Sequence, residues 1–154
     1  MNTIEANQKL HASEANTYKR TQPHYRPENK RKIDKILRKL EKQTGGFRLI
    51  DFGCGQGFII DLAEKYFSKI TGVDVCKEMT DKINVSKHKH SNVNIINSPI
   101  DCIPVGNESY DVCTAYAALH HFSNLYDVFK EAYRILKDGG IFWSGLDPSS
   151  DSGS

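Results

Sequence analysis

No stretch of the 154-residue chain approaches the ~18–20 consecutive apolar residues of a membrane span. The first thirty residues also lack the apolar core of a signal peptide. These absences set aside membrane-spanning and signal-directed secreted classes, and the expectation is a cytoplasmic protein. Cysteine is sparse: Cys54, Cys76, Cys102 and Cys113 stand 22, 26 and 11 positions apart, none in a CxxC pair. A zinc knuckle or dithiol redox centre is therefore not expected, and no metal site is assigned. Each cysteine falls in an apolar or turn segment and reads as a small hydrophobe. No internal repeat is present.

What remains is ordinary for a globular domain, with 38% hydrophobic and 26% charged residues. A chain of this length buries roughly two thirds of its unfolded surface, so it builds a core without disulfides or metal. The net charge of +2 conceals +6 over residues 1–46 and −4 over 47–154. A basic segment suits nucleic acid or an acidic surface. Here its charges flank an apolar stripe, which favours a solvated helix face.

The polar residues 1–26 read as an N-terminal arm, 27–146 as the folded core, and 147–154 as a flexible tail with nothing to bury. Ile33, Ile36, Leu37 and Leu40 form one apolar face of a helix over 28–43, opened by Pro27 and closed by Gly45-Gly46. Strands are expected at 47–52, 69–75, 93–96, 110–116 and 141–146, with helices at 57–67 and 77–87. A further helix follows a Ser123 cap, with Leu125, Val128, Phe129, Ala132, Tyr133 and Leu136 on one face, and ends at Gly139-Gly140. Such alternation implies βαβ units: a Rossmann-like α/β fold with a doubly wound parallel sheet in the order 3-2-1-4-5.

The most informative run is Leu49-Ile50-Asp51-Phe52-Gly53-Cys54-Gly55-Gln56-Gly57. An apolar strand enters a turn with glycine at three alternate positions, and a helix opens behind it. Glycine permits positive φ and lets a ligand approach where a Cβ would block it. At the carboxyl end of the first strand that turn lies by the switch point of the sheet, where ligands bind. A bare βα turn is the alternative, and three glycines after a strand ending near Asp51 disfavour it. A dinucleotide fingerprint would carry its last glycine at position 58, which is Phe58. Asp74, 21 positions beyond Gly53, suits a ribose diol, a feature common to NAD and S-adenosylmethionine sites.

Further runs stand in register with this turn: Gly72-Val73-Asp74 with Met79, Ile103-Pro104 before Ser109-Tyr110-Asp111-Val112, Ala118-Leu119-His120-His121-Phe122, and Glu131 through Gly140. Over residues 47–146 the chain resembles the class I S-adenosylmethionine-dependent methyltransferases, specifically methyltransferase type 11. The resemblance implies S-adenosylmethionine as cofactor, S-adenosylhomocysteine as product and a small-molecule methyl acceptor. It further implies that Asp51 faces the methionine ammonium, directly or through water. Gly53, Cys54 and Gly55 would lie along the methionine and ribose, and Gly57 would let the helix start close by. Asp74 would hold the ribose hydroxyls, Val75 and Met79 would flank the adenine, and Ala115 would offer backbone near the methionine. Where the family often carries an acidic residue for the adenine amino group this chain has Pro99, so Asp101 or the backbone of Ile100 is expected to make that contact.

The family's sheet normally has seven strands, and this sequence supplies five. The expectation is a sheet truncated after strand 5: a piece of a longer protein, or a minimal domain. Its strand 5 edge, with Ile141, Phe142 and Trp143, could self-associate. The alternatives to a methyltransferase are a non-catalytic S-adenosylmethionine-binding domain and a nicotinamide-dependent oxidoreductase. His120 and His121 are the candidate catalytic bases, following strand 4 where the methyl should point; one of them packing at the start of the next helix is the alternative. Tyr18 and Tyr25 could belong to a lid, and His88 and His90 read as a solvated loop. No Asn/Asp-Pro-Pro-Tyr/Phe run follows strand 4, where the residues are Ala115-Tyr116-Ala117-Ala118, so resemblance to amino-methylating enzymes of adenine or glutamine type is weak. A nucleic-acid acceptor is not expected.

Overall fold

The computed structural model describes residues 25–87 and 92–145. Most of the arm with Tyr18, the His88 and His90 loop, and the tail lie outside the described residues. Five strands form one sheet: β1 (Arg48–Phe52), β2 (Lys69–Val73), β3 (Asn92–Ile96), β4 (Tyr110–Tyr116) and β5 (Leu136–Gly145). Their order is β3-β2-β1-β4-β5 and every pairing is parallel. The three central strands β2, β1 and β4 are buried almost throughout, as a parallel sheet covered on both faces requires, while the outer strands β3 and β5 are partly exposed.

Helix α1 (Pro27–Thr44) begins with Pro27, whose missing N–H costs nothing in a first turn. It ends at Gly45, left-handed at φ 62°, where Gly46 N–H reaches back to the Glu41 carbonyl. Ile33, Leu37 and Leu40 are buried as the spacing predicts, and Ile36 packs at the margin. They meet Phe58, Ile59, Ile60 and Ala63 of α2 (Phe58–Ala63) on one face of the sheet. On the opposite face Val128, Ala132 and Ile135 of α4 (Leu125–Ile135) pack against Ile50, Phe52 and Cys113.

Several expectations change, and the first is that α4 ends at Ile135 while β5 already begins at Leu136, so Leu136 and Gly139-Gly140 belong to the strand and not to the helix end. The helix over 57–67 is α-helical only to Ala63, whose carbonyl then accepts both the Tyr66 and Phe67 N–H groups as the chain turns out. The helix over 77–87 shrinks to α3 (Lys77–Thr80) and a 3₁₀ turn at Val85–Lys87. Only Met79 and Thr80 of α3 are buried, too little apolar face to stabilise a longer helix. Helix α4 is capped by Asn124, not Ser123, its side chain accepting the Tyr126 and Asp127 N–H groups. The helix is also rotated from expectation: Leu125, Phe129 and Tyr133 are exposed, while Glu131 and Ile135 take the core positions. Cys102 is exposed, unlike the other three cysteines.

Gly72 sits in the packed interior of the sheet. A Cβ on Gly72 of β2 would stand 2.8 Å from both Cys54 Sγ and Ile60 Cδ1. Gly72→Ala should therefore overpack the core and cost ~1–3 kcal/mol, read as a lowered urea midpoint at unchanged m. An unchanged midpoint would show that Cys54 and Ile60 can yield.

Candidate functional site

The glycine turn follows β1 and is tied to β2: the N–H groups of Gly53 and Cys54 donate to the Val73 carbonyl at 2.7 and 3.0 Å. Gly53, Gly55 and Gly57 have φ of +72°, +53° and +93°, values an L side chain resists. A Cβ on Gly53 would lie 2.8 Å from the Ala118 Cβ, so the segment after β4 closes directly on the turn. That segment leaves β4 through Ala117, held left-handed at φ 55°, whose N–H donates to the Gly145 carbonyl of β5.

Between these loops lies a hollow of about 130 Å³ that opens to solvent. Of the residues expected in the cofactor site, Gly53, Gly55, Asp74, Val75, Met79, Ile100 and Asp101 line it. Asp51, Cys54, Gly57 and Ala115 lie behind the wall, fixing the turn and strand ends. His121 lines the hollow and is half-buried; His120 is exposed and off the wall. Their rings meet at a tilt of 43° with centroids 3.9 Å apart. Sequence reasoning passed over Tyr116, Phe122, Asn124 and Asp127 as lining residues; the position of Tyr116 at the end of β4 was the available signal.

Asp74 is buried at the end of β2, and each oxygen takes one backbone N–H at 2.9 Å: Oδ2 from Gly55, Oδ1 from Cys76. Beneath the turn, Asp51 accepts the Thr114 hydroxyl at 2.7 Å. Burial pushes its carboxyl up to about 8, the Thr114 bond opposing and the Asp74 charge adding to the rise. Burial and the same two carboxylates hold the Cys54 thiol well above its usual range. That thiol stays protonated and is no nucleophile.

Asp74, Asp101 and Asp127 line the hollow, and no Lys or Arg does so among the described residues. Val75, Met79 and Ile100 give it apolar walls. This donor set suits a ligand that brings positive charge, a diol and a flat base, and repels a diphosphate.

Comparison with known proteins agrees. The chain is 30% identical over 97 residues to the methyltransferase YcgJ of Bacillus subtilis, covering 62% of this chain and 38% of that protein. It is 25% identical over 130 residues to a malonyl-[acyl-carrier protein] O-methyltransferase of Enterobacter lignolyticus, covering 82% and 50%. The chain thus spans half or less of the length of these relatives. The PH0226 protein of Pyrococcus horikoshii superposes with a TM-score of 0.67 at 29% identity, over 82% of this chain and 60% of that one. The YcgJ crystal structure gives 0.67 at 26% identity, over 74% and 50%. Residues 50–144, from the middle of β1 to near the end of β5, match the type 11 methyltransferase domain. With sheet order, glycine turn and acidic hollow all in agreement, the chain belongs to this methyltransferase domain family, whose members use S-adenosylmethionine.

Proposed function

We propose that this chain binds S-adenosylmethionine in the hollow and carries the donor half of a methyltransferase acting on a small-molecule acceptor. The observation that carries the reading is the charge of the walls: three carboxylates and no Lys or Arg among the described residues. A dinucleotide would set its diphosphate among those carboxylates, whereas a sulfonium nucleoside brings positive charge to them. Asp74 holds the ribose hydroxyls, Val75 and Met79 flank the base, and Gly53 and Gly55 let the methionine portion lie against the backbone. Asp51 works from below the turn on the ligand ammonium.

When bound, the cofactor supplies a methyl group on a sulfonium that leaves as a neutral thioether. The protein's share is therefore alignment and exclusion of water. Ala117 and Ala118 close the segment after β4 onto the turn, and Tyr116 forms the adjoining wall. His121, half-buried on the wall, takes the acceptor's proton where the acceptor is protonated at working pH. Titration calorimetry with S-adenosylhomocysteine and with NADH tests the reading. Saturable binding of the first supports it; saturable NADH binding with no response to the first overturns it.

A second proposal concerns the open side of the sheet. β5 is an edge strand without a charged residue over 139–145, and beside it Leu125, Tyr126, Phe129 and Tyr133 are exposed, Tyr133 by 86%. These four side chains offer on the order of 500 Å². With the strand edge added, this approaches the ~800 Å² per partner of a stable interface. We propose that this edge pairs with a second copy, its β5 across a two-fold axis, or, where the chain is a piece of a longer protein, with residues that follow β5 there. Light scattering should show a dimer that Tyr133→Lys dissociates. A monomer at every concentration would overturn the pairing with a second copy and give that face to a different partner.

A further inference from the structure

The connection from β3 to β4, residues 97–109, forms no regular helix. Its peptide groups therefore need partners outside the segment, and α4 provides them. The buried Glu131 carboxylate accepts the Ile103 N–H at 2.7 Å. Arg134 grips the same carboxylate with two donors, Nε to Oε1 at 2.7 Å and Nη2 to Oε2 at 2.9 Å. Its remaining reach goes to the connection: Nη2 to the Ile103 carbonyl at 3.0 Å, and Nη1 to the Val105 carbonyl and Asn107 Oδ1, both at 2.8 Å. One guanidinium, locked by one carboxylate, spans the chain from Ile103 to Asn107.

At its start the connection is fixed differently. Asn97 Nδ2 donates to the Asp74 carbonyl and to Thr80 Oγ1, each at 3.0 Å. Between these two anchors hang residues 98–102, which include the hollow's far wall, Ile100 and Asp101. Pro99 within that span has no N–H to tie it further. The buried Ile100 side chain packs in the core cluster with Ile103 and Val128, and the downstream anchor at Ile103 fixes the backbone that carries it and Asp101.

We infer that Glu131 and Arg134 are positioning residues for the nucleobase, setting the Ile100 backbone and the Asp101 carboxylate against the edge of the adenine ring. This rests on the cofactor reading above. Lysine cannot replace the arginine here, because an ammonium lacks the planar fork that meets a carboxylate and two carbonyls together.

The test is a ratio of affinities, which a general loss of stability does not move. S-adenosylhomocysteine is compared with S-inosylhomocysteine, whose 6-amino group is replaced by oxygen, against wild type, Arg134→Lys and Glu131→Gln, with thermal melts reporting the fold. Wild type should prefer the adenine form at least tenfold. Each variant should lose at least tenfold in S-adenosylhomocysteine affinity while its preference falls toward unity. Two variants are used so that one misfolded protein does not end the test. Wild-type binding with an unchanged preference in a folded variant overturns the inference alone, as does equal weakening of both ligands. Wild type that binds neither ligand overturns the cofactor reading, and this inference with it.

Discussion

Replacing Asp74 with alanine should weaken S-adenosylhomocysteine binding by one to two orders of magnitude, measured by calorimetry. Two effects combine. The variant loses charge-assisted hydrogen bonds to the ribose hydroxyls, together ~1.5–3 kcal/mol. It also frees the Gly55 and Cys76 N–H groups that the carboxylate now ties at 2.9 Å, so the turn loses its brace on the β2 side. Asp74→Asn separates the two: its amide oxygen can accept one of these N–H groups, and half or more of the loss should remain because the charge is gone. An Asp74→Ala protein that binds as tightly as wild type would remove this carboxylate from the site.

Asp51 should make cofactor binding strongly pH-dependent. With its carboxyl at about 8 in the free protein, principally through burial, it is largely protonated at pH 6–7. A ligand ammonium placed near it favours the carboxylate, so binding expels a proton and affinity rises with pH. Between pH 6 and 7, where the ligand's own α-ammonium (ordinary pKa ~7.7–8.0) is still charged, the gain should approach tenfold per unit. Asp51→Asn, which keeps the acceptor for the Thr114 hydroxyl, should flatten the profile. The sign for stability is opposite. An unfolded aspartate ionises near pH ~3.9, so between that pH and about 8 the folded state holds the extra proton. Stability therefore falls as pH rises through that window, and Asp51→Asn should melt higher than wild type at pH 8. A wild-type affinity that is flat from pH 6 to 7 would disconnect Asp51 from the ligand.

Elements with one unambiguous pattern were legible in the sequence. β4 runs from Tyr110 to Tyr116 as read, because a short run rich in aromatic and small apolar residues has one place, the buried middle of the sheet. The glycine turn was equally clear, since three alternate glycines have few explanations other than positive φ. Helix α4 was misread in rotation because it is apolar on two faces, and periodicity does not say which one meets the core. The deciding residue is Glu131, a carboxylate at a buried position. Its burial makes sense only once the Ile103 N–H and the Arg134 guanidinium are known to meet it. Within the site, contacts made by chain neighbours of the glycine turn could be anticipated. Asn124 and Asp127 reach the hollow because the segment after β4 folds back over the glycine turn, which the strand order alone does not give.

The central place of β1 governs how the chain folds as it is made. β1 pairs with β2 on one side and with β4 on the other, where Leu49, Ile50 and Asp51 meet Val112, Cys113 and Thr114. Synthesis delivers β2 and β3 before β4, with residues 97–109 still to come between β3 and β4. Throughout that interval the nascent half-sheet carries β1 as a bare apolar edge, open to pairing with a neighbouring chain. Such long-range parallel pairing is slow even after release. That edge is covered once Val112, Cys113 and Thr114 have been made and can pair with Leu49, Ile50 and Asp51.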